Sequence, residues 1–502
     1  MDQTPASPNA HPDQRTVLEE LADWASTLQL HEVPERVVEF AASHILSQMA
    51  AIRVGLQQSE GKRLAHALGA PFQPDTAQSA RVLAGAGAWL NLDDTAYAGH
   101  LGPSTVAVPL AFAHALRLTG EDLLLSVIVA NECAARITAS ATLGPFRGQT
   151  ALHTHLVGAV AGRLASEKAS PHQWRNALAL ALSTPPWTLM HGFIISDARL
   201  LHVPVAVRMA MDACDAAASG LQGATDIVEH PDGFLARFAT VPLPEAVTAS
   251  LGRRWHTETL SFKLHPGGPG IDAAIDCAAE LHSLMGQWST DDVQEITVEG
   301  SLYTLFAARK AQPYLDGPRT PIGAMVLTTP YPVATALLTG HLGIEDFYPP
   351  AVDQTERWAL ASKVRLVHNE AMTKALMTGV APMGEAIRQA GDRSAQWLRD
   401  FGGDGMPDLA GEVGAPLEDF TQAVKPTPAR VTVQMRDGRC YSRELSIPHG
   451  GIGPTLRAQH RALVTDKFLA AGGPEDIAEA WSALTKLGPD DLVPLLEKAL
   501  AI

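Results

Sequence analysis

Residues 91–109 read NLDDTAYAGHLGPSTVAVP and set two adjacent carboxylates, a threonine and a histidine at the start of an apolar run. From these residues alone two readings stay open. Asp93, Asp94 or Thr95 could cap the helix that follows, accepting hydrogen bonds from its free N–H groups and favouring the positive end of its dipole. Alternatively these residues carry chemistry, since an imidazole such as that of His100 can both take and return a proton.

The segments on either side set the fold class. From residue 15 to about 250 the chain is helical in pattern almost throughout. VLEELADWASTL, PERVVEFAASHILSQMAAIRVGL and SARVLAGAGAWL repeat apolar residues at spacings of three and four. VAVPLAFAHALRL, EDLLLSVIVANECAARITA, LHTHLVGAVAGRLASEK, WRNALALALST and VAVRMAMDACDAAASG follow. Many are apolar on nearly every face, with Ala and Gly where helices would approach closely, as expected of helices buried inside an all-α domain.

The texture changes after Trp255. VQEITVEG and SKVRLVHN read as single strands, and ARVTVQMRDGRCYSRELSI as a hairpin turning at Asp437-Gly438. IDAAIDCAAELHSLMG and YPVATALLTGHLG between them read as helices, and LRAQHRALVTDKFLAAG through LVPLLEKALAI is helical again. The expected fold is mainly α with a smaller α+β domain. Residues 1–14 form a disordered, Pro-rich leader; 15–258 with 455–502 form a large all-helical domain; 259–454 form a smaller α+β domain. Residues 370–422, which include GGDGMPD, are a candidate insertion.

Composition narrows the function classes. Of 502 residues, 46% are hydrophobic and 18% charged, enough to bury a large core. With 38 Lys and Arg against 54 Asp and Glu the formal charge is −16, and no basic stripe is visible, so nucleic acid is not an expected partner. An acidic surface still allows an anionic substrate, because a few local cations dominate a pocket. Cys133, Cys214, Cys277 and Cys440 form no CxxC pair, which argues against a disulfide framework and a structural zinc site. MDQTPASPNAHPDQRT lacks a signal-peptide pattern. The apolar windows at 105–116 and 123–130 are too short or interrupted to span a bilayer, so a soluble cytoplasmic protein without a membrane partner is expected.

Further polar clusters interrupt the apolar pattern. GPFRGQTALHTHLVGAVAG carries Arg147, Gln149, His153 and His155. Two residues apart on a helix, the histidine side chains point about 200° away from one another and cannot share one ion. ISDARLLHVPVAVRMAMDA carries Asp197, Arg199 and His202. SFKLHPGGPGIDAAID carries Lys263, His265 and a Gly-Pro loop whose N–H groups could hold an anion beside the Lys263 charge, although such loops also simply turn the chain. Tyr331, in TTPYPVATALLTG, is a further candidate at a helix start, where a tyrosine is also an ordinary packing residue.

In combination and order these segments resemble the 2-methylcitrate dehydratase (MmgE/PrpD) family, which also contains cis-aconitate decarboxylase and iminodisuccinate epimerase. The resemblance runs from about residue 17 to the C-terminus. It is carried by LDDTAYAGH with VAVPLAFAHAL, by LLHVPVAVRMAMDACDAAASGLQGATDIVEHPDGF, by FKLHPGG with AAIDCAAEL, and by VTVQMRDGR with the later KF. It implies a large helical domain, a smaller α+β lid with a cleft between them, no metal or organic cofactor, and a homodimer. It also implies chemistry that removes or moves a proton beside a carboxylate, with loss of water, loss of carbon dioxide or inversion.

Carried over by position, Thr95 and His100 fall on the family's threonine and histidine, and Asn91 falls on its aspartate. Gln149 falls on its second-motif histidine, with His153 or His155 as nearby replacements. Arg199 falls on a lysine and keeps a cation able to grip a carboxylate through two bonds. Lys263 falls on a lysine, Gly268 on a histidine and Tyr331 on a tyrosine. The resemblance thus implies His100, Tyr331, Thr95 and His153 as catalytic residues. It implies Asn91, Gln149, Arg199, Lys263, His202 and His265 as substrate-binding residues. The expected activity is a lyase or isomerase of a small di- or tricarboxylic acid, with a remodelled site pointing to an unusual biosynthetic substrate. The alternative is a catalytically silent carboxylate-binding relative.

Overall fold

The computed structural model of the chain describes residues 15–97, 99–145 and 150–502. The expected leader at 1–14, and with it Arg147 and Gln149, lies outside the described residues. Helices Glu35–Gln57, Thr76–Ala88, Ala107–Leu116, Gly120–Ser140, Leu152–Ser166, Pro171–Ser183 and His202–Ala218 make up most of the first half. Two of their starts are capped locally: Thr119 with Asp122, and Ser170 with Gln173, form reciprocal capping boxes. Small residues allow the close packing. A Cβ on Gly55 would lie 1.9 Å from the Ala86 carbonyl oxygen, so Glu35–Gln57 and Thr76–Ala88 meet where no side chain fits. Gly120–Ser140 has the length and apolar composition of a membrane span, yet 94% of that window is buried inside the protein, and it serves as a core helix. Leu152–Ser166 packs along both Gly120–Ser140 and His202–Ala218.

Helix Pro454–Ala470 returns to lie along Glu35–Gln57. Arg53 fixes that return by donating to the carbonyls of Gly472, Ala499 and Ala501 at 2.5–2.9 Å, which satisfies acceptors left over at two helix ends.

The remainder is the smaller α+β unit. A two-residue pair, β1 (Thr95–Ala96) and β2 (Gly99–His100), stands apart from it. The main sheet contains β3 (Val293–Gly300), β4 (Val364–His368), β5 (Ala429–Met435) and β6 (Cys440–Leu445) in the order β4-β3-β5-β6. β5 and β6 are the expected antiparallel hairpin, with Gly438 at φ 93° in its turn. β3 runs antiparallel to β5 and parallel to β4. A parallel pair needs a crossover, supplied by Leu302–Ala311, Pro330–Thr339 and Thr355–Ala361. Ala429, Val431, Val433 and Met435 alternate inward along β5, and helix Asp272–Met285 packs over β5 and β6.

Residues 370–422 connect β4 to β5 through short helices and build a second apolar cluster. Leu376, Ile387, Trp397 and Phe420 pack there with Tyr97 and Leu143 from the helical unit. An ion pair between buried Arg254 and Glu385, at 3.1 Å, ties the same segment down.

Candidate active site

The 91–109 stretch does not cap a helix. Helix Gly102–Thr105 has Leu101 at its cap position and no side-chain cap bond. Instead the chain doubles back on itself, with Asn91 and Tyr97 in the left-handed region at φ 53° and 51°. Thr95 pairs with His100 across β1 and β2, and Thr95 and Ser261 exchange backbone hydrogen bonds at 2.8 and 3.1 Å. The two aspartates divide the work. Asp94 accepts from Ser47 Oγ at 2.9 Å, the Lys263 backbone N–H at 3.0 Å and Lys467 Nζ at 3.5 Å, joining three distant segments. Burial pushes its carboxyl up to about 6 against the pull of Lys467. Asp93 accepts from His100 Nδ1 at 2.7 Å, with both side chains buried. A carboxylate can only accept, so Nδ1 is the donor in this bond.

His100 lines a cavity of about 70 Å³ together with Asn91, Phe193, Gly268, Tyr303 and Lys310. Asn91 is buried there, and its Oδ1 has no hydrogen-bond partner among the described residues. Gly268 contributes room: a Cβ would find only Leu327 and Ala307 at 3.8 and 3.9 Å. Behind Phe193 lies Arg199, 1% exposed, with its guanidinium carbon 4.2 Å from the Phe193 ring centre. Nε donates to the Trp89 carbonyl at 2.9 Å, while Nη1 and Nη2 have no partner among the described residues. Burial lowers this guanidinium to about 9, with Asp93 pulling the other way. His202 Nδ1 donates to the Arg199 carbonyl, and burial together with His155 holds its ring well below the ordinary histidine range. The His155 ring lies 6.2 Å from that of His202, and Ser104 sits 3.2 Å from its Nδ1.

A recess of about 10 Å³ adjoins this cavity, with Pro269 lining both. Thr95, Lys263, Asp272 and Lys425 also line it. Lys263 Nζ is ion-paired with Asp272, and Lys425 Nζ donates to Thr95 Oγ1 at 2.7 Å.

The expected residues therefore separate into groups. His100, Asn91 and, through Phe193, Arg199 and His202 gather at the cavity, and Thr95 and Lys263 gather at the recess. Gln149 lies outside the described residues. His153 packs edge-on against Phe234 and Phe238 at 5.2 and 5.6 Å, away from the side His155 occupies. His265 Nε2 is bonded to Asp276 at 2.8 Å and does not border the cavity. Tyr331 donates to the Asp346 carbonyl and packs against Trp358 with ring centres 4.5 Å apart, and it does not line the cavity. The glycine loop is not an open anion nest either. Its Gly267 and Gly268 N–H groups donate to the carbonyls of Leu90 and Val326 at 3.0 and 3.2 Å.

Lys425, Tyr303, Lys310 and Lys467 are site neighbours that the sequence reading did not single out. A lysine that arrives in a core from VKPTPARV carries no local signature.

A large helical unit joined to a small α+β unit, with polar side chains of both meeting at buried cavities, defines a two-part architecture that sequence comparison identifies. The chain matches the family model of the MmgE/PrpD N-terminal domain over residues 19–245 and that of the C-terminal domain over residues 265–400. It belongs to the MmgE/PrpD family. It is also similar to a cis-aconitate decarboxylase-like protein, oryM, of Aspergillus oryzae, at 25% identity over 395 residues, covering 71% of this chain and 81% of that protein. Together these relationships support a lyase-type activity.

Proposed function

We propose that the protein transfers a proton next to a carboxylate of a small di- or tricarboxylic acid, without a metal or organic cofactor. The observation that carries this reading is one arrangement: a buried Asp93–His100 pair on a cavity backed by buried Arg199, whose Nη1 and Nη2 have no partner among the described residues. An unpaired buried guanidinium is costly, and a substrate carboxylate accepting from Nη1 and Nη2 offsets that cost. His100 Nε2 takes or returns the proton, and Asp93 holds the ring and stabilises the imidazolium. The Asn91 carboxamide is placed to donate to the negative charge that develops on the substrate carboxylate. Loss of carbon dioxide is the outcome that the name of the oryM relative supports.

A metal is not needed in this scheme. His341, Glu345 and Asp346 form a group close enough to share an ion. However, the two Asp346 oxygens already accept from Arg357 and the Gly343 N–H, both at 2.7 Å. The reading includes a cytoplasmic homodimer, for which the exposed Trp187, Leu189, Ile195 and Leu201 offer a surface. Solvent-deuterium exchange into a panel of di- and tricarboxylates, with product analysis, tests it. Exchange or turnover with one of them, insensitive to chelators, is expected. Binding without exchange or product would leave a catalytically silent carboxylate-binding protein.

A further inference from the structure

Two lysines and one aspartate meet at the recess beside Thr95, and the charges do not balance. Lys263 is neutralised by Asp272. Lys425 is 2% exposed, and its Nζ is bonded to a neutral threonine hydroxyl. Its backbone is held by an N–H bond to the Ile452 carbonyl at 3.0 Å, so the side chain is presented to the recess by a fixed main chain. The charged groups facing it are Lys263, on the segment paired with β1, and Asp272, at the start of helix Asp272–Met285. Thr427 and the Pro448–Gly451 turn add no charge, and His449 in that turn points outward to Glu280. A buried ammonium without its own counter-ion is strongly disfavoured. Burial accordingly lowers Lys425 to about 7, with Asp272 opposing and Lys263 reinforcing.

The recess has room for about one oxygen-sized atom and meets the His100 cavity at Pro269. We propose that Lys425 is a second carboxylate-holding cation, which takes up a proton as one substrate carboxylate oxygen enters the recess between it and Lys263. This rests on the carboxylate-substrate reading above and adds to it a residue and a pH dependence. Thr95 then holds Lys425 in place until the anion arrives. An incoming carboxylate favours the charged lysine, so binding and protonation are linked and affinity falls as pH rises above neutrality.

Calorimetric titration of the full-length protein with propane-1,2,3-tricarboxylate and with succinate, at pH 6 and pH 8 in buffers of different ionisation enthalpy, counts the protons. Wild type should take up about one proton per site at pH 8. Lys425→Met should lose that uptake and bind more weakly. Lys425→Arg, charged at both pH values, should bind without it. Absence of uptake in wild type, or the same uptake in Lys425→Met, overturns the role of Lys425 while leaving carboxylate binding standing. If neither probe binds wild type at either pH, this proposal and the reading beneath it both fail. The wild-type proton count needs no variant, and melting curves show whether each variant is folded.

Discussion

His100 and His265 look alike on paper, each a histidine with an aspartate within hydrogen-bonding distance, and the structure uses them differently. His100 bonds Asp93 through Nδ1 at 2.7 Å and lines a cavity. His265 bonds Asp276 through Nε2 at 2.8 Å, its Nδ1 lies 3.5 Å from the Leu342 carbonyl, and Asp276 also accepts from the His449 N–H at 2.9 Å. One pair borders a cavity; the other cross-links a loop to a helix. The contrast extends to the cations and phenols around them. Arg199 is buried with open donors, whereas the Tyr331 hydroxyl is committed to a main-chain carbonyl. The proposed site differs from the His265 cross-link in unfinished hydrogen bonding, at Asn91 Oδ1 and at Arg199 Nη1 and Nη2, rather than in residue type.

The comparison breaks first at Asp93. Asp93→Asn should lower turnover by about 10²–10⁴-fold with the protein folded, because a neutral carboxamide neither fixes the donor nitrogen nor stabilises the imidazolium. Turnover close to wild type would put His100 among the structural histidines. Arg199→Ala should weaken carboxylate binding by roughly 10²–10³-fold, read as a dissociation constant, since one partner of a desolvated charge pair is lost.

A third effect is a slope. Lys425 releases its proton at about 7 in the folded chain against 10.5 in the reference state. Between those values the unfolded chain binds more protons, so this group makes stability rise with pH across that window and lose the gain as pH falls through 7. Urea midpoints measured at pH 6, 7.5 and 9 should therefore climb less steeply in Lys425→Met than in wild type. The smallest effect belongs to Tyr331→Phe. It should cost about 1 kcal/mol of stability, the worth of one buried hydrogen bond, and leave turnover unchanged. A collapse in turnover would bring Tyr331 back to the chemistry.

Much of this was legible in the sequence, and the limits follow from how each feature is encoded. Helical periodicity from residue 15, and the hairpin at Asp437-Gly438, are local signals that read directly onto the observed helices and β5–β6. The cluster at 91–100 and Arg199 were visible as polar residues in apolar surroundings. Pairing was not visible. Asp93 lies 7 residues from His100 and Asp276 lies 11 from His265, and nothing in spacing says which imidazole borders a cavity. Lys425 reaches Thr95 across 330 residues, and Lys467 reaches Asp94 across 373, so tertiary folding alone brings them together. The glycine loop suggested an anion nest because glycine backbones are accessible, but here two of its N–H groups close the loop onto neighbouring carbonyls.

The most direct measurement is solvent-deuterium exchange into the carboxylic acid turned over by wild type, run in parallel on His100→Gln and His265→Gln and normalised to folded protein. His100→Gln should lose exchange by about 10²–10⁴-fold with little change in affinity, while His265→Gln stays within a few-fold of wild type. Exchange that survives in His100→Gln, or that vanishes in His265→Gln with the fold intact, would contradict the assignment of proton transfer to the Asp93–His100 pair.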